Sequence, residues 1–136
     1  MEAGTGEGPI RDEARMVAQM APRLLPGEVV FVSVPEAEAA SAMGAARALV
    51  REVEGVTLVL PRDHPLCPAD ALAMRQITLT VHSALDGVGL TAAVSSALAA
   101  AGIPCNVVAG ARHDHLFVPA GLAEAALATL EARARA

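Results

Sequence analysis

Apolar residues along the chain recur in two patterns, as short β-branched runs and as longer stretches with helical spacing. The run Val29–Val34 (VVFVSV) has the length and composition of a strand, and apolar and polar positions alternate through residues 77–83 (ITLTVHS). Leu90, Val94 and Leu98 are four residues apart, which places them on one face of a helix. These patterns predict strands at residues 29–34, 48–53, 56–60, 77–83, 103–109 and 113–118, and helices at 12–23, 36–47, 90–101 and 122–134.

The predicted elements follow the order strand-helix-strand-strand-helix, and this order occurs twice. It indicates an α+β protein made of two ferredoxin-like halves, with antiparallel sheets and with helices on one face. We expect an N-terminal tail and short helix at 1–27, a first half at 28–74 and a second half at 75–136. Between the halves, the proline-rich residues 61–68 predict an irregular connector, and residues 69–74 could add one or two helical turns.

Composition excludes some classes of protein and of partner, but it does not identify the function. The chain has 136 residues, of which 54% are hydrophobic, so it is not a disordered protein. With two Phe and no Trp or Tyr, its core buries little area per residue, and we expect a homo-oligomeric interface to complete the burial. The net charge of −5 argues against a nucleic-acid partner.

Location and redox state are also predicted from simple sequence features. No apolar run is long enough to span a bilayer, so we expect no membrane partner. The first residues, MEAGTGEGPIRDEAR, contain no hydrophobic signal core, and we therefore expect a cytoplasmic protein. The two cysteines, Cys67 and Cys105, form no CxxC motif and are expected to stay reduced.

A set of short motifs gives the chain a family resemblance. VHS, the turn DGVGLTA, NVVAG and HDHLFVP follow one another in the second half, and LLPGEVVFVSVP begins the first. Over about residues 23–130 the chain resembles small bacterial proteins made of two ACT-like halves. The resemblance implies βαββαβ modules that bind amino acids, regulate enzymes and pair through their sheets. Each half shows three predicted strands where an ACT domain has four, so a fourth must come from the other half or another chain, or one half is truncated.

The turn between the predicted strand 77–83 and the next helix is the candidate ligand site. Glycines allow the backbone to turn tightly and approach a ligand, and a helix N-terminus suits a carboxylate. The resemblance implies that this turn binds the ligand together with the second strand of the neighbouring module. An amino-acid ligand would place its ammonium group near a carboxylate such as Asp86. The implied residues are Asp86, Gly87, Val88, Gly89, Leu90, Asn106 and Val107. The alternative is that Asp86 caps the helix and the glycines only form a turn.

Three histidines suggest a second, less specific site. His113 and His115 alternate onto one face of their predicted strand, and His82 lies in a strand that should neighbour it. Three imidazoles could bind zinc. The alternative is a polar face of strand ends or interface hydrogen bonds, and this is our prediction. We therefore expect no metal, no cofactor and no catalytic residue.

These features lead to three functional hypotheses. The first is a non-catalytic ACT-like regulatory protein that binds an amino acid or a similar metabolite. The second is a structural or interaction module that acts in trans on a partner enzyme. The third, which we rank last, is a metal-dependent enzyme that uses His82, His113 and His115.

Overall fold

The computed structural model describes residues 8–136, so the first part of the predicted N-terminal tail, residues 1–7, lies outside the described residues. The strands are β1 (Pro22–Leu24), β2 (Val29–Val34), β3 (Ala48–Glu52), β4 (Gly55–Pro61), β5 (Met74–Leu79), β6 (Asn106–Ala109) and β7 (Asp114–Pro119). The helices are α1 (Glu13–Ala18), α2 (Glu36–Ala42), α3 (Leu90–Ala100) and α4 (Ala123–Arg135), with 3₁₀ turns at Met43–Ala45 and Ala120–Leu122.

The strands form one sheet in the order β3-β4-β2-β5-β7-β6, and β1 lies beside β5. Every pair of these strands is antiparallel. Strand β2 pairs with β4 from Val29↔Pro61 to Val34↔Val56, but it meets β5 only at Val29↔Met74. The predicted α+β architecture of two ferredoxin-like halves is therefore confirmed.

The fourth strand of the second half comes from the N-terminal segment. Strand β1 pairs with β5 from Pro22↔Leu79 to Leu24↔Ile77, which gives the order β1-β5-β7-β6 expected of a βαββαβ module. The predicted helix at 12–23 is therefore wrong in its second part. Helix α1 ends at Ala18, because Pro22 has no N–H to donate and disfavours helical geometry in Ala21 before it.

The first half has a thinner helical layer than the second. Its β2-α2-β3-β4 unit is followed by turns through residues 62–73, so the helical turns suggested at 69–74 are wrong and the irregular connector is confirmed. Leu66, Cys67 and Ala71 of this connector pack on the same apolar cluster as α2. The connector thus covers the sheet where a second helix would lie.

Strand β5 lies three to four residues earlier than predicted. It begins at Met74 because that residue pairs with both Val29 and Pro119. It ends at Leu79 because the chain then turns to the N-terminal segment, where the Thr80 N–H donates to the Met20 carbonyl at 2.9 Å. The residues after Leu79 are therefore free to form the candidate ligand turn.

The helix-free face of the sheet carries apolar side chains from both halves. A cluster on this face contains Val29, Val59, Met74 and Phe117. Phe31 and Phe117 meet edge to face, with ring centroids 5.2 Å apart at 87°. The edge strands β3 and β6 both contribute to this cluster, through Ala48 and Val108 respectively. We conclude that packing of the halves buries Phe117.

Neither cysteine is in a disulfide, and burial raises the pKa of both thiols. The Asp63 charge raises the pKa of Cys67 further. No helix within residues 8–136 is both long and apolar enough to cross a membrane.

Candidate functional site

The turn from β5 to α3, residues 80–89, ends at Gly89, whose backbone conformation requires a residue without a side chain. Gly89 is the N-cap of α3 and has φ of 110°, in the left-handed region that other residues rarely adopt. It offers no side-chain cap to the helix. The first N–H groups of an α-helix have no partner within the helix, and they are suited to a ligand carboxylate.

The N-terminal segment holds this turn in place. The Ile10 N–H donates to the His82 carbonyl at 2.8 Å, and the Ala84 N–H donates to the Ile10 carbonyl at 3.0 Å. Glu13 lies against the turn, since a Cβ placed on Gly89 would be 2.5 Å from its Oε1. Residues that are distant in sequence therefore hold this turn in position.

A partly enclosed cavity of about 150 Å³ lies between the turn, α1 and β7. Its polar side chains are those of Ser83, which is 8% exposed, Asp114 and Thr91. The Ser83 hydroxyl donates to Asp114 Oδ2 at 3.3 Å. The remaining wall is largely backbone and apolar side chains, including Met16, Gly87, Gly89 and Leu90.

Three of the seven predicted ligand residues line this cavity: Gly87, Gly89 and Leu90. Asp86 points outward, where Arg11 Nε donates to its Oδ1 at 3.0 Å and its side chain is 75% exposed. Asp86 therefore does not cap α3, and that part of the alternative is wrong. The other three predicted residues lie elsewhere: Val88 is 78% exposed, and Asn106 and Val107 lie in β6, outside the cavity wall.

Sequence reasoning missed Met16 and Asp114. Met16 reaches the cavity through tertiary packing of α1, for which the local sequence carries no signal. Asp114 could have been found from strand alternation. It pairs with Leu79, which faces the helices, so Asp114 lies on the side opposite His115 and towards the turn.

The three histidines make separate contacts. His115 Nδ1 lies 3.0 Å from Thr78 Oγ1 and 3.2 Å from Gln76 Nε2, while His113 Nδ1 lies 3.2 Å from the Val81 carbonyl oxygen. His82 lies beyond the end of β5. Among residues 8–136, no three His, Cys, Asp or Glu side chains come close enough to hold a metal ion.

His115 belongs to a polar network that joins the two halves. Gln76 donates through Nε2 to Thr78 Oγ1 at 3.0 Å and accepts at Oε1 from Arg47 Nη1 at 2.7 Å. Burial lowers the pKa of His115, the nearby His113 lowers it further, and the Asp114 charge acts in the opposite direction. The neutral imidazole is thus favoured within this network.

Comparisons with known proteins agree with the fold. Two ACT-domain family models match in tandem, one over residues 9–76 and the other over 72–132. No curated protein matches the chain.

Several solved structures are similar. A Vibrio cholerae protein of unknown function, described as a possible transport protein, is 39% identical, with a TM-score of 0.76 over 89% of this chain and 94% of that one. An Agrobacterium tumefaciens protein is 24% identical, with a TM-score of 0.67 over 83% and 87%. The regulatory subunit of aspartate kinase from Thermus flavus is 14% identical, with a TM-score of 0.57 over 82% and 95%. With two family models matching in tandem on the fold described above, the chain belongs to the ACT-domain family.

Proposed function

We propose that this chain is a non-catalytic regulatory protein that binds a small molecule of the amino-acid type beside the β5–α3 turn. The observation that carries the proposal is the partly enclosed cavity of about 150 Å³ at this turn. The start of α3 offers N–H groups to a carboxylate, and Gly87 and Gly89 allow the backbone to approach a ligand in the cavity closely. Family membership and the fold shared with an aspartate kinase regulatory subunit support a regulatory role.

Thermal unfolding of the whole chain with each of the twenty amino acids tests this function. A ligand that binds only the native state stabilises it by about 2.7 kcal/mol at 100 times its Kd. We expect at least one amino acid to raise Tm. Ala109→Leu, which narrows the cavity, should abolish the rise, whereas Ala128→Leu on the exposed side of α4 should keep it. A folded chain with no response to any amino acid would contradict the proposal.

Docking onto a partner protein in trans is the second candidate function. Leu85 and Val88, in the same turn, are 72% and 78% exposed, which is unusual for large apolar side chains on one short segment. If no amino acid raises Tm, docking becomes the better candidate. The third hypothesis, a metal-dependent enzyme that uses His82, His113 and His115, has no support within residues 8–136, where no three such side chains come close enough to hold a metal ion.

We also propose that the chain forms a homo-oligomer, because its core is poor in aromatic residues and its surface retains exposed apolar side chains. Light scattering at micromolar concentration should give a mass above that of one chain. A strict monomer would contradict this proposal. The cytoplasmic location stays a prediction.

A further inference from the structure

Asp114 has unused hydrogen-bonding capacity inside the cavity. An ionised carboxylate can accept about four hydrogen bonds. Asp114 accepts one from the Ser83 hydroxyl, at a long 3.3 Å, and within residues 8–136 no arginine or histidine forms an ion pair with it. Ser83 is itself more than nine-tenths buried. The pair therefore presents acceptor oxygens to whatever fills the cavity.

The charge around the cavity favours a cation. Among the described residues that line it, Asp114 is the one charged side chain, and it is negative. The Glu13 carboxylate adjoins Gly89 at the edge of the turn. Arg11 is engaged with Asp86 on the exposed side. A positive group would therefore be attracted, and a second negative group would be repelled at close range and reduced solvent exposure.

The size of the cavity limits the ligand as strongly as its charge does. A cavity of about 150 Å³ is comparable to one that takes benzene, a molecule of about six non-hydrogen atoms. Sites for drug-sized ligands are larger, roughly 300–1,000 Å³. Small amino acids fit wholly within this volume, whereas a long or aromatic side chain would extend out of the open side of the cavity.

Resting on the function proposed above, we propose that Asp114 and Ser83 form an ammonium-binding subsite, and that the ligand is a small, uncharged-side-chain α-amino acid in the range from glycine to threonine. The ligand ammonium group would donate to the Asp114 carboxylate and to the Ser83 oxygen. Its carboxylate would lie towards the start of α3. Aspartate and glutamate are disfavoured, because their second carboxylate would approach Asp114 or Glu13.

Calorimetric titration of the whole chain tests the subsite. The probes are glycine, alanine and serine, then aspartate, and finally propionate and lactate, which lack the amine. We expect at least one small amino acid to bind at least tenfold more tightly than aspartate, propionate or lactate. Asp114→Asn should weaken that binding at least tenfold, because hydrogen bonds to charged groups are the stronger class. Asp86→Asn removes the same charge outside the cavity and should change affinity less than threefold.

Ser83→Ala is the second variant, in case Asp114→Asn does not fold, and it should weaken binding more than threefold. Circular dichroism confirms that each variant is folded. If wild-type chain binds amino acids but both folded variants bind within threefold of it, or if aspartate binds as well as serine, the subsite is overturned and the proposed function stands. If wild-type chain binds no amino acid, the proposed function fails, and the subsite with it.

Discussion

The connection from the first strand to the first helix differs between the two halves. In the first half, β2 ends at Val34 and α2 begins at Glu36, so Pro35 alone connects them. In the second half, residues 80–89 lie between β5 and α3 and enclose a cavity. Two halves that share a strand-helix-strand-strand order therefore need not share a site, because the site depends on the length and glycine content of a single connection.

The helical layer of the first half is also smaller than that of the second. Helix α2 has 7 residues and buries only Ala39 and Ala42, whereas α3 has 11 and buries Leu90, Val94 and Leu98. The second half also takes α1 and β1 from the N-terminal segment. The first half thus has a smaller helical layer than the second. The two halves pack together through the cluster of Val29, Val59, Met74 and Phe117 on the helix-free face.

The largest expected loss of stability comes from removing Phe117 from the cluster that joins the two halves. Phe117→Ala removes a side chain that is 1% exposed and contacts Phe31, so it should cost about 3–5 kcal/mol of stability. Denaturant unfolding should show one transition for the wild-type chain, since both halves share this cluster. Val53→Ala, at a fully exposed position, should cost less than about 0.5 kcal/mol. Two separate transitions in the wild-type chain would show that the halves are independent.

The glycine turn is the next feature to break. Gly89→Val places a branched side chain at φ of 110° and against Glu13, which should cost about 1–2 kcal/mol. Amino-acid binding should fall more than tenfold, because the turn cannot keep its path beside the cavity. Gly102→Val, at the other end of α3, has φ of 74° and open space around it, and it should lose stability but not binding. Unchanged binding by folded Gly89→Val would remove this turn from the site.

A gain of stability is expected where α1 leads into β1. Ala21 has φ of 42°, in the left-handed region where glycine is favoured. Ala21→Gly should therefore stabilise the chain by about 0.5–1 kcal/mol, after the greater freedom of glycine in the unfolded chain is counted. Ala18→Gly, in helix α1, should instead cost roughly 0.5–1 kcal/mol. A lower Tm for Ala21→Gly would show that Ala21 carries no backbone strain.

The smallest expected effect is the pH dependence of His115. Its pKa is lowered in the folded state, so the unfolded chain binds protons more readily below its own pKa of about 6.5. Stability should be full above about pH 6.5 and fall as the pH drops from there through the folded pKa. His115→Gln should reduce this loss. An NMR titration that gives His115 a pKa of 6.5 or higher would contradict the prediction.

The fold class was predictable because strands and helices here have distinct periodicities. The run Val29–Val34 matches β2 residue for residue, and the spacing of Leu90, Val94 and Leu98 identifies the buried face of α3. The origin of the fourth strand was not predictable. Strand β1 has only 3 residues, and it forms because β5 offers it a partner rather than because of its own sequence.

The candidate site was predictable only in part, for a similar reason. Gly87 and Gly89 mark the turn through local backbone requirements, which a sequence displays directly. Met16 joins the wall by tertiary packing, and the direction of Asp86 is set by Arg11, a partner distant in sequence. Neither contact leaves a local pattern.

The interleaved order of the second half has a consequence for how the chain folds during synthesis. Residues 10–24 emerge from the ribosome before the whole first half, yet their partners on β5 and α3 follow it. Because synthesis adds roughly 5–20 residues per second, the apolar side chains of Met16, Val17 and Met20 remain without their packing partners for several seconds. The last helix ends beside α1, since Asp12 and Arg133 line one surface cleft. A circular permutant that moved the N-terminal segment behind α4 would bring α1 and β1 next to α4 in sequence, whereas almost the whole chain now separates them, and it should therefore fold faster.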